Sequence, residues 1–213
     1  YIAEVARLIE ASGDAEALST GFYIANNGQR LLAPTPTSEG WIDPAREALL
    51  GRFPIIPSTA TLRRDMLLDI GGFPEGMRIG EDQWLWVRLI QRGCRFYFSP
   101  MPLVSYSRSA ENRSASIYRA EHTTHSLEEL LFDSNTPELN EYIARIAIGK
   151  AITQSVRGGS ADAKRAIAAF SYTLRSRRQL LRLRLLNSLP RFLRPMVDGI
   201  YSMVAWGVRH RGL

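Results

Sequence analysis

The chain has 213 residues, 45% of them hydrophobic and 23% charged, which is the composition of an ordinary globular protein. Its one cysteine, Cys94, excludes an internal disulfide and any metal site built from several cysteines. The net charge of +6 is concentrated in residues 171–213, where nine arginines and one aspartate give +8 and leave −2 for the remainder. The C-terminal segment, not the body of the chain, is therefore expected to seek an anionic partner.

The first 32 residues predict a helix followed by a β-hairpin. Apolar residues recur at helical spacing from the start of the chain: Ile2, Val5, Ala6 and Ile9. Gly13 ends this predicted helix. Residues 17–25 are rich in strand formers, and Asn26-Asn27-Gly28 is a strong turn signal before a second short strand at 30–32.

The next segment predicts a loop, two short helices and a short strand. Residues 33–40 read as a loop, and Asp43 followed by Pro44 predicts a capped helix that runs to about Leu50. A short strand is expected before Arg63, and a short helix is expected over residues 65–70.

The stretch from Leu68 to Arg88 carries the clearest chemical signal. Gly71 and Gly72 are expected to end the preceding helix, and Glu81 and Asp82 to begin a densely apolar helix that ends at Gly93. Acids are favoured in the first turn of a helix, where unpaired N–H groups leave a partial positive charge. An aspartate held there is ionised at neutral pH and can take a proton from a hydroxyl group. The alternative is an acid pair that only stabilises the helix, which is the commoner situation for this position alone.

The motif in this stretch resembles that of a known enzyme family. Its elements are Gly71-Gly72-Phe73, Glu75, Glu81-Asp82 and Arg88, preceded by Thr59 to Arg64 and followed by a strand leading to Tyr106 and by Asn112-Arg113-Ser114. This order resembles the Gly-Gly-Phe … Glu-Asp … Arg signature of the inverting family-2 glycosyltransferases, which have the GT-A fold. The resemblance covers about residues 1–115.

This resemblance implies a fold, a reaction and a set of ligands. The fold class is α/β, with residues 1–115 as the acceptor-side, C-terminal half of a Rossmann-like mixed-sheet GT-A domain. Asp82 would be the catalytic base, and a nucleotide-sugar would donate a sugar to an acceptor hydroxyl of a glycan or a lipid-linked saccharide. The donor-binding strands and the Asp-x-Asp that holds a divalent metal, Mg²⁺ or Mn²⁺, are expected before Tyr1, so this fragment alone would be inactive. Asp14-Ala15-Glu16 is not that motif, because it follows a helix and not a hydrophobic strand.

The resemblance also suggests substrate-binding residues, each with a structural alternative. Arg63 and Arg64 could hold a phosphate, since guanidinium groups suit that anion, or could simply be surface arginines. Trp84 could stack on a sugar, although tryptophan in an apolar helix is more often core, and we expect at least one of Trp84 and Trp86 to be core. Arg88 is expected to form a structural salt bridge. The other candidates are Gly72, Phe73, Glu75 and Glu81 on the acceptor side, and Asn112 and Ser114 over the nucleotide diphosphate.

The remainder of the chain predicts two short strands and then helices only. The strands are expected at 95–98 and 103–106, and the helices at about 117–132, 138–157, 160–175, 177–188 and 196–208, so residues 116–213 form a helical tail that is basic from about 171. His122 and His125 are spaced for metal binding, but they lack a third ligand and are expected to be merely exposed. No metal ligand is predicted among the residues of this chain.

The composition of the tail indicates a cellular location for the protein. Arginines beside leucines, with Tyr201 and Trp206, are typical of a helix on an anionic membrane surface, whereas nucleic acid is not expected because no recognition motif accompanies the charge. We therefore expect a cytoplasmic protein, peripheral at the inner face of the cell membrane. Two alternatives stay open at this point: a non-catalytic module that binds membranes or polyanions through the tail, and a hydrolase that uses Glu75 or Glu81 with Asp82.

Overall fold

The computed structural model describes residues 1–26, 28–52, 54–77, 80–107, 127–130, 137–157, 161–169 and 177–210. The chain divides into two compact units. The first comprises Tyr1–Ser126 and Phe132–Tyr142, and the second comprises Leu127–Leu131 and Ile143–Leu213. The predicted boundary after residue 115 falls outside the described residues and stays a prediction.

The first unit is mixed α/β, as expected, with an open mixed sheet. Its elements in chain order are α1 (Ile2–Ser12), β1 (Ala17–Asn26), β2 (Gln29–Leu32), β3 (Gly40–Ile42), α2 (Pro44–Leu49), a 3₁₀ turn (Pro57–Thr59), β4 (Thr61–Leu62), α3 (Arg64–Asp69), α4 (Glu81–Gln91) and β5 (Phe96–Ser107). The predicted helices and the hairpin of this part are confirmed: Asn26 pairs with Gln29, and the Asp43 carboxylate accepts from the first free N–H groups of α2.

The sheet has the order β2-β1-β5-β3, and β4 also pairs with β1. Strands β1 and β5 are parallel, whereas β2 and β4 lie antiparallel to β1 and β3 lies antiparallel to β5. The expectation that residues 33–40 form a loop is therefore wrong at Gly40, where β3 (Gly40–Ile42) begins. Three residues are too few to show a period, and their pairing with Phe96–Phe98 is a contact that only the folded chain makes.

Strand β5 is one bulged strand rather than the two short strands that the sequence predicts. Its register with β1 shifts on both sides of Gly21, opposite the Pro100–Pro102 segment. Proline lacks a backbone N–H donor, and for this reason the sequence predicts a break between two strands at this segment. Gly21 allows the close approach, because a Cβ atom there would lie 2.6 Å from the carbonyl oxygen of Pro100.

Helix α1 forms as predicted but buries a different face. Ile2 and Ile9 are exposed, whereas Leu8 and Glu4 are buried. The Glu4 carboxylate accepts from the Ser99 hydroxyl at 2.8 Å and from the Arg7 guanidinium at 2.7 and 2.9 Å. These bonds compensate for burying a charge and turn the Glu4 side of the helix towards the sheet.

The main cluster of this unit lies around α4. Leu85, Trp86 and Leu89 pack with Ala17 of β1 and Phe96 of β5, and side chains of α3 and β4 surround them. Helices α3 and α4 both end at a glycine. Gly71 and Gly93 have φ of 83° and 78°, conformations that favour glycine, and their N–H groups bond back into α3 and α4.

The second unit is helical where it is described. It contains a 3₁₀ turn (Leu127–Leu130), most of α5 (Pro137–Val156), α6 (Ala161–Ala169), α7 (Arg177–Ser188), a 3₁₀ turn (Arg191–Leu193) and α8 (Arg194–His210). The predicted helix at 117–132 lies largely outside the described residues, and its described part is a 3₁₀ turn, not α-helix. The other predicted helices of the tail are confirmed where they are described. No helix among the described residues is both long and apolar enough to cross a bilayer.

One buried and one half-buried polar contact hold α8 within this unit. The Arg194 guanidinium, 5% exposed, donates to the carbonyl oxygens of Ser155, Asn187 and Leu189, which lie at the ends of α5 and α7. A guanidinium suits this place because helix C-termini carry unpaired carbonyls and partial negative charge. Asp198 of α8 pairs with Arg182 of α7 at 2.5 Å.

Candidate functional site

The candidate base lies where the sequence places it, in the first turn of α4. Gly80 precedes the helix with φ of 79°, and Glu81 and Asp82 occupy the first two helical positions. Both carboxylates are half-buried. The helix N-terminus supplies partial positive charge to this turn.

Asp82 continues the buried stripe of α4. It precedes Leu85, Trp86 and Leu89 by three, four and seven residues, the spacing of one helix face. Its side chain therefore lies on the side that packs against the sheet, at the end where that packing gives way to partial exposure.

The short connection between α4 and β5 indicates where the N-terminal end of α4 lies relative to the strands. Only residues 92–95 separate α4 from β5, from which we infer that the helix runs back along the strand, with Asp82 towards the carboxyl ends of β1 and β5. In open α/β sheets, ligands bind outside the carboxyl ends of parallel strands. The position of Asp82 is thus compatible with a binding site.

Asp82 has one described hydrogen bond, in which its Oδ1 accepts from the Gln83 N–H at 2.7 Å. That bond satisfies a free donor of the helix start. Among the residues that the structure describes, no cation pairs with Asp82 or with Glu81. Within those residues, Oδ2 of Asp82 is therefore not committed to a partner, and a carboxylate oxygen in that situation can accept a proton.

The described part of the glycine-rich loop before α4 is partly exposed, although Met77 is buried. Gly71 and Gly72 form a Schellman cap, in which the N–H of Gly72 reaches the carbonyl of Leu67 at 2.9 Å. Phe73 follows with 49% of its surface exposed, and Glu75 is also exposed. These two side chains are accessible to a ligand.

The two tryptophans of α4 differ in their surroundings. Trp86 is 2% exposed and belongs to the main cluster, which confirms that at least one of the two is core. Trp84 is half-buried, and the Arg88 guanidinium carbon lies 5.0 Å from the centre of its ring. The salt bridge predicted for Arg88 is not found among the described residues, because Arg88 lies one turn after Trp84 and stacks on it. Stacking of a sugar on that ring face would require Arg88 to move.

Arg63 lies at the opposite end of α4 from Asp82. Its N–H donates to the carbonyl of Glu16 at 2.9 Å, and the carboxylate of Glu16 accepts from the Arg95 N–H at 2.9 Å. Because Arg95 follows the C-terminus of α4, the length of this 11-residue helix, ~16 Å, separates Arg63 from Asp82. The structure therefore does not bring these two side chains together.

The two candidate arginines also differ from each other in their partners. The guanidinium of Arg63 donates to Asp65 at 2.5 and 3.2 Å and holds the pKa of that carboxyl below its ordinary range. Arg64 is exposed and has no partner among the described residues. Arg64 is thus the more accessible of the two to an anion.

Several candidates cannot be placed. Asn112, Ser114, His122 and His125 lie outside the described residues. Within the described part of the chain, no three side chains of His, Cys, Asp or Glu converge on a common point. Cys94 is buried as expected, and its burial raises the pKa of the thiol to about 12, which makes it a poor nucleophile.

Two features were not singled out by sequence reasoning. The Oε1 atom of Gln83 is buried and has no hydrogen-bond donor among the described residues, directly beside Asp82. Arg7 connects Glu4 to Glu39, and the hydroxyl of Tyr97 donates to Glu39 at 3.2 Å. The Glu4–Arg7 spacing on a helix was the only sequence signal for this network, because its other members are distant in the chain.

Comparison of the chain with protein-family models, with curated proteins and with solved structures gave no match.

Proposed function

We propose that this chain contributes the acceptor side of an inverting sugar transferase, with Asp82 as the catalytic base. The support is the Gly-Gly-Phe … Glu-Asp … Arg motif together with one observation. Asp82 is a half-buried carboxylate on the sheet-facing stripe of α4, with no cation bound to it among the described residues. A carboxylate serving only to cap the helix would need neither that face nor the exposed Phe73 and Glu75 side chains before it.

The proposed reaction is a single displacement. Asp82 takes the proton of the acceptor hydroxyl while that oxygen forms a bond to the anomeric carbon of the donor sugar. The bond from the anomeric carbon to the nucleoside diphosphate breaks, and its electron pair leaves on the phosphate oxygen. The configuration at the anomeric carbon is inverted because attack and departure occur on opposite faces.

The neighbouring residues have proposed roles in binding. Phe73 and Glu75 are exposed, and together with Gly72 and Glu81 they would contact the acceptor. Trp84 would present the part of its ring that Arg88 leaves open. Orienting the acceptor oxygen towards Asp82 is the step in which such contacts lower the barrier.

Binding of the donor phosphates is proposed for a separate set of residues. Arg64 would contact a phosphate, either of the donor or of a lipid-linked acceptor. Arg63 would do so only by exchanging Asp65 for the phosphate. Asn112 and Ser114 remain proposed contacts of the nucleotide diphosphate.

The divalent metal that the resemblance implies would be held by residues before Tyr1. In the described part of the chain, acidic and histidine side chains do not converge. No step of the proposed reaction is therefore assigned to a metal held by the described residues.

Hydrolysis of a glycosidic bond is less well supported than transfer. Hydrolases place two carboxyl groups across the scissile bond, ~5 Å or more apart and facing each other. Glu81 and Asp82 are adjacent in one helical turn, from which side chains diverge by about 100°.

A location at the cytoplasmic face of the cell membrane also remains a proposal, and it suits a transferase whose acceptor is lipid-linked.

The test is Asp82→Asn in the protein as the cell makes it. Because the amide can still accept from the Gln83 N–H but cannot take a proton, folding should persist while sugar transfer falls by about 10²–10⁴-fold. Donor affinity should stay unchanged. Asp69→Asn is the matched control, since Asp69 is an exposed acid paired with Arg92 near the other end of α4.

Normal turnover by Asp82→Asn would show that this residue is not the base. Loss of transfer in the control as well would show that the effect comes from the stability of α4 rather than from the carboxylate.

A further inference from the structure

Helix α8 presents an apolar face to solvent. Phe192, just before the helix, is 80% exposed, and Met196, Ile200 and Met203 are 58%, 52% and 68% exposed. The last three residues follow each other at intervals of four and three, which places them on one side of the helix. These four side chains are called the α8 face below.

The two charged side chains that the structure describes on α8, Arg194 and Asp198, are engaged away from this face. Arg194 is 5% exposed because its guanidinium bonds the carbonyls at the ends of α5 and α7. Asp198 pairs with Arg182, whose guanidinium carbon also lies 4.3 Å from the centre of the Tyr201 ring. In sequence these two charges interrupt the apolar run, whereas in the structure they leave the α8 face free of charge.

The same unit carries exposed positive charge. Arg191 directly precedes Phe192, and α7 presents three more exposed arginines: Arg177, Arg178 and Arg184. Among the described residues, none of these four pairs with a carboxylate. The helical unit thus combines an exposed apolar face with uncompensated positive charge.

We propose that the α8 face inserts into the surface of an anionic lipid bilayer, with Arg191 and the α7 arginines bound to lipid phosphates. An apolar helix face with arginines near it is the arrangement that lies in the plane of such a surface. The arginines are attracted to the negatively charged lipid surface over a long range, and the apolar side chains make contacts with lipid that a soluble polyanion does not offer.

Two other occupants fit less well. A second copy of the chain would bring its own unpaired arginines against those of the first, which opposes association. A nucleic acid would bind the arginines but leave the α8 face in water. Membrane binding by the α8 face does not involve Asp82, so it is tested independently of the proposed reaction.

The test measures binding of the full chain to vesicles by co-sedimentation. Vesicles of phosphatidylcholine mixed with phosphatidylglycerol should bind the protein, and vesicles of phosphatidylcholine alone should bind it much more weakly. Ile200→Glu should weaken binding about tenfold or more, because a charge replaces a side chain expected to lie in the apolar region. Arg184→Gln and Arg191→Gln should each weaken it about fivefold and reduce its sensitivity to salt.

Leu31→Glu is the matched control, since Leu31, 67% exposed against 52% for Ile200, is an exposed apolar residue on β2 of the first unit. Its vesicle binding should equal that of the unchanged chain. Circular dichroism of each variant checks that the helices are intact.

Four results would each overturn the inference. The first is equal binding to the two kinds of vesicle, and the second is equal effects of Ile200→Glu and Leu31→Glu. The third is binding that survives Ile200→Glu but is displaced by a short DNA duplex, which would identify a polyanion site instead. The fourth comes from sedimentation of the protein without vesicles, because dimers that Ile200→Glu converts to monomers would identify a second copy as the occupant.

Discussion

The buried carboxylate of Glu4 gives a quantitative test of how α1 is held to the sheet. Arg7 and Ser99 donate hydrogen bonds to it, with Arg7 as the larger cause, and lower its pKa from 4.5 to about 2. A carboxyl whose pKa is lowered on folding stabilises the folded state above its unfolded pKa. That contribution is lost as the pH falls from about 4.5 through about 2.

The size of the contribution follows from the same pKa. If the whole change in the pKa of Glu4 contributes at ~1.4 kcal/mol per pKa unit, the carboxylate stabilises the fold by at most about 3 kcal/mol. Because the side chain of Arg7 is 46% exposed, solvent screens the pair, and we expect about 1–2 kcal/mol.

Glu4→Gln removes the charge while keeping the shape of the side chain. Denaturant unfolding of both proteins between pH 7 and pH 2 should give a stability difference of about 1–2 kcal/mol at neutral pH that disappears near pH 2. Glu10→Gln, on the exposed side of the same helix, is the control and should change the curve little. A Glu4→Gln protein with the unchanged pH dependence would refute the reasoning, since the carboxylate would then make no net contribution.

Two further predictions concern packing. Gly21→Ala should destabilise the first unit by about 1–3 kcal/mol in denaturant unfolding, because the new Cβ would lie 2.6 Å from the backbone oxygen of Pro100, which cannot move aside freely. The control Gly149→Ala meets no atom within 4 Å and should be neutral or stabilising, and equal effects of the two changes would contradict the steric argument. Arg194→Met should destabilise the helical unit by about 2–4 kcal/mol, read as loss of helical circular dichroism, because several buried carbonyls lose a charged donor. Arg184→Met, at an exposed position, should cost less than about 0.5 kcal/mol, and a loss of that small size for Arg194→Met would show that the buried guanidinium is replaceable.

Local chemistry made much of the fold predictable. The Asp43-Pro44 start of α2, the glycine ends of α3 and α4, and the hairpin after Asn26 depend only on residues near each other in the chain. The same holds for the position of Asp82, because acids in a first helical turn are favoured by the adjacent N–H groups.

Contacts between distant residues decided what the sequence did not predict. Strand β3 exists through its pairing with β5, and β5 continues past two prolines because Gly21 lets the strands approach. Arg63 and Asp82 are near in the chain, yet α4 separates them.

By itself, then, the sequence determined most of the described helices, the hairpin, the acid at the start of α4 and the basic character of the C-terminal segment, since each is set by propensities and spacings within a few residues. The tertiary structure decided which side of each helix is buried. Glu4 is buried in place of Ile9, and Arg194 and Asp198 turn inward, which leaves Met196, Ile200 and Met203 exposed on one side of α8. The physical reason is that a buried charge is tolerated only where its partners meet it, and those partners come from other elements of the fold.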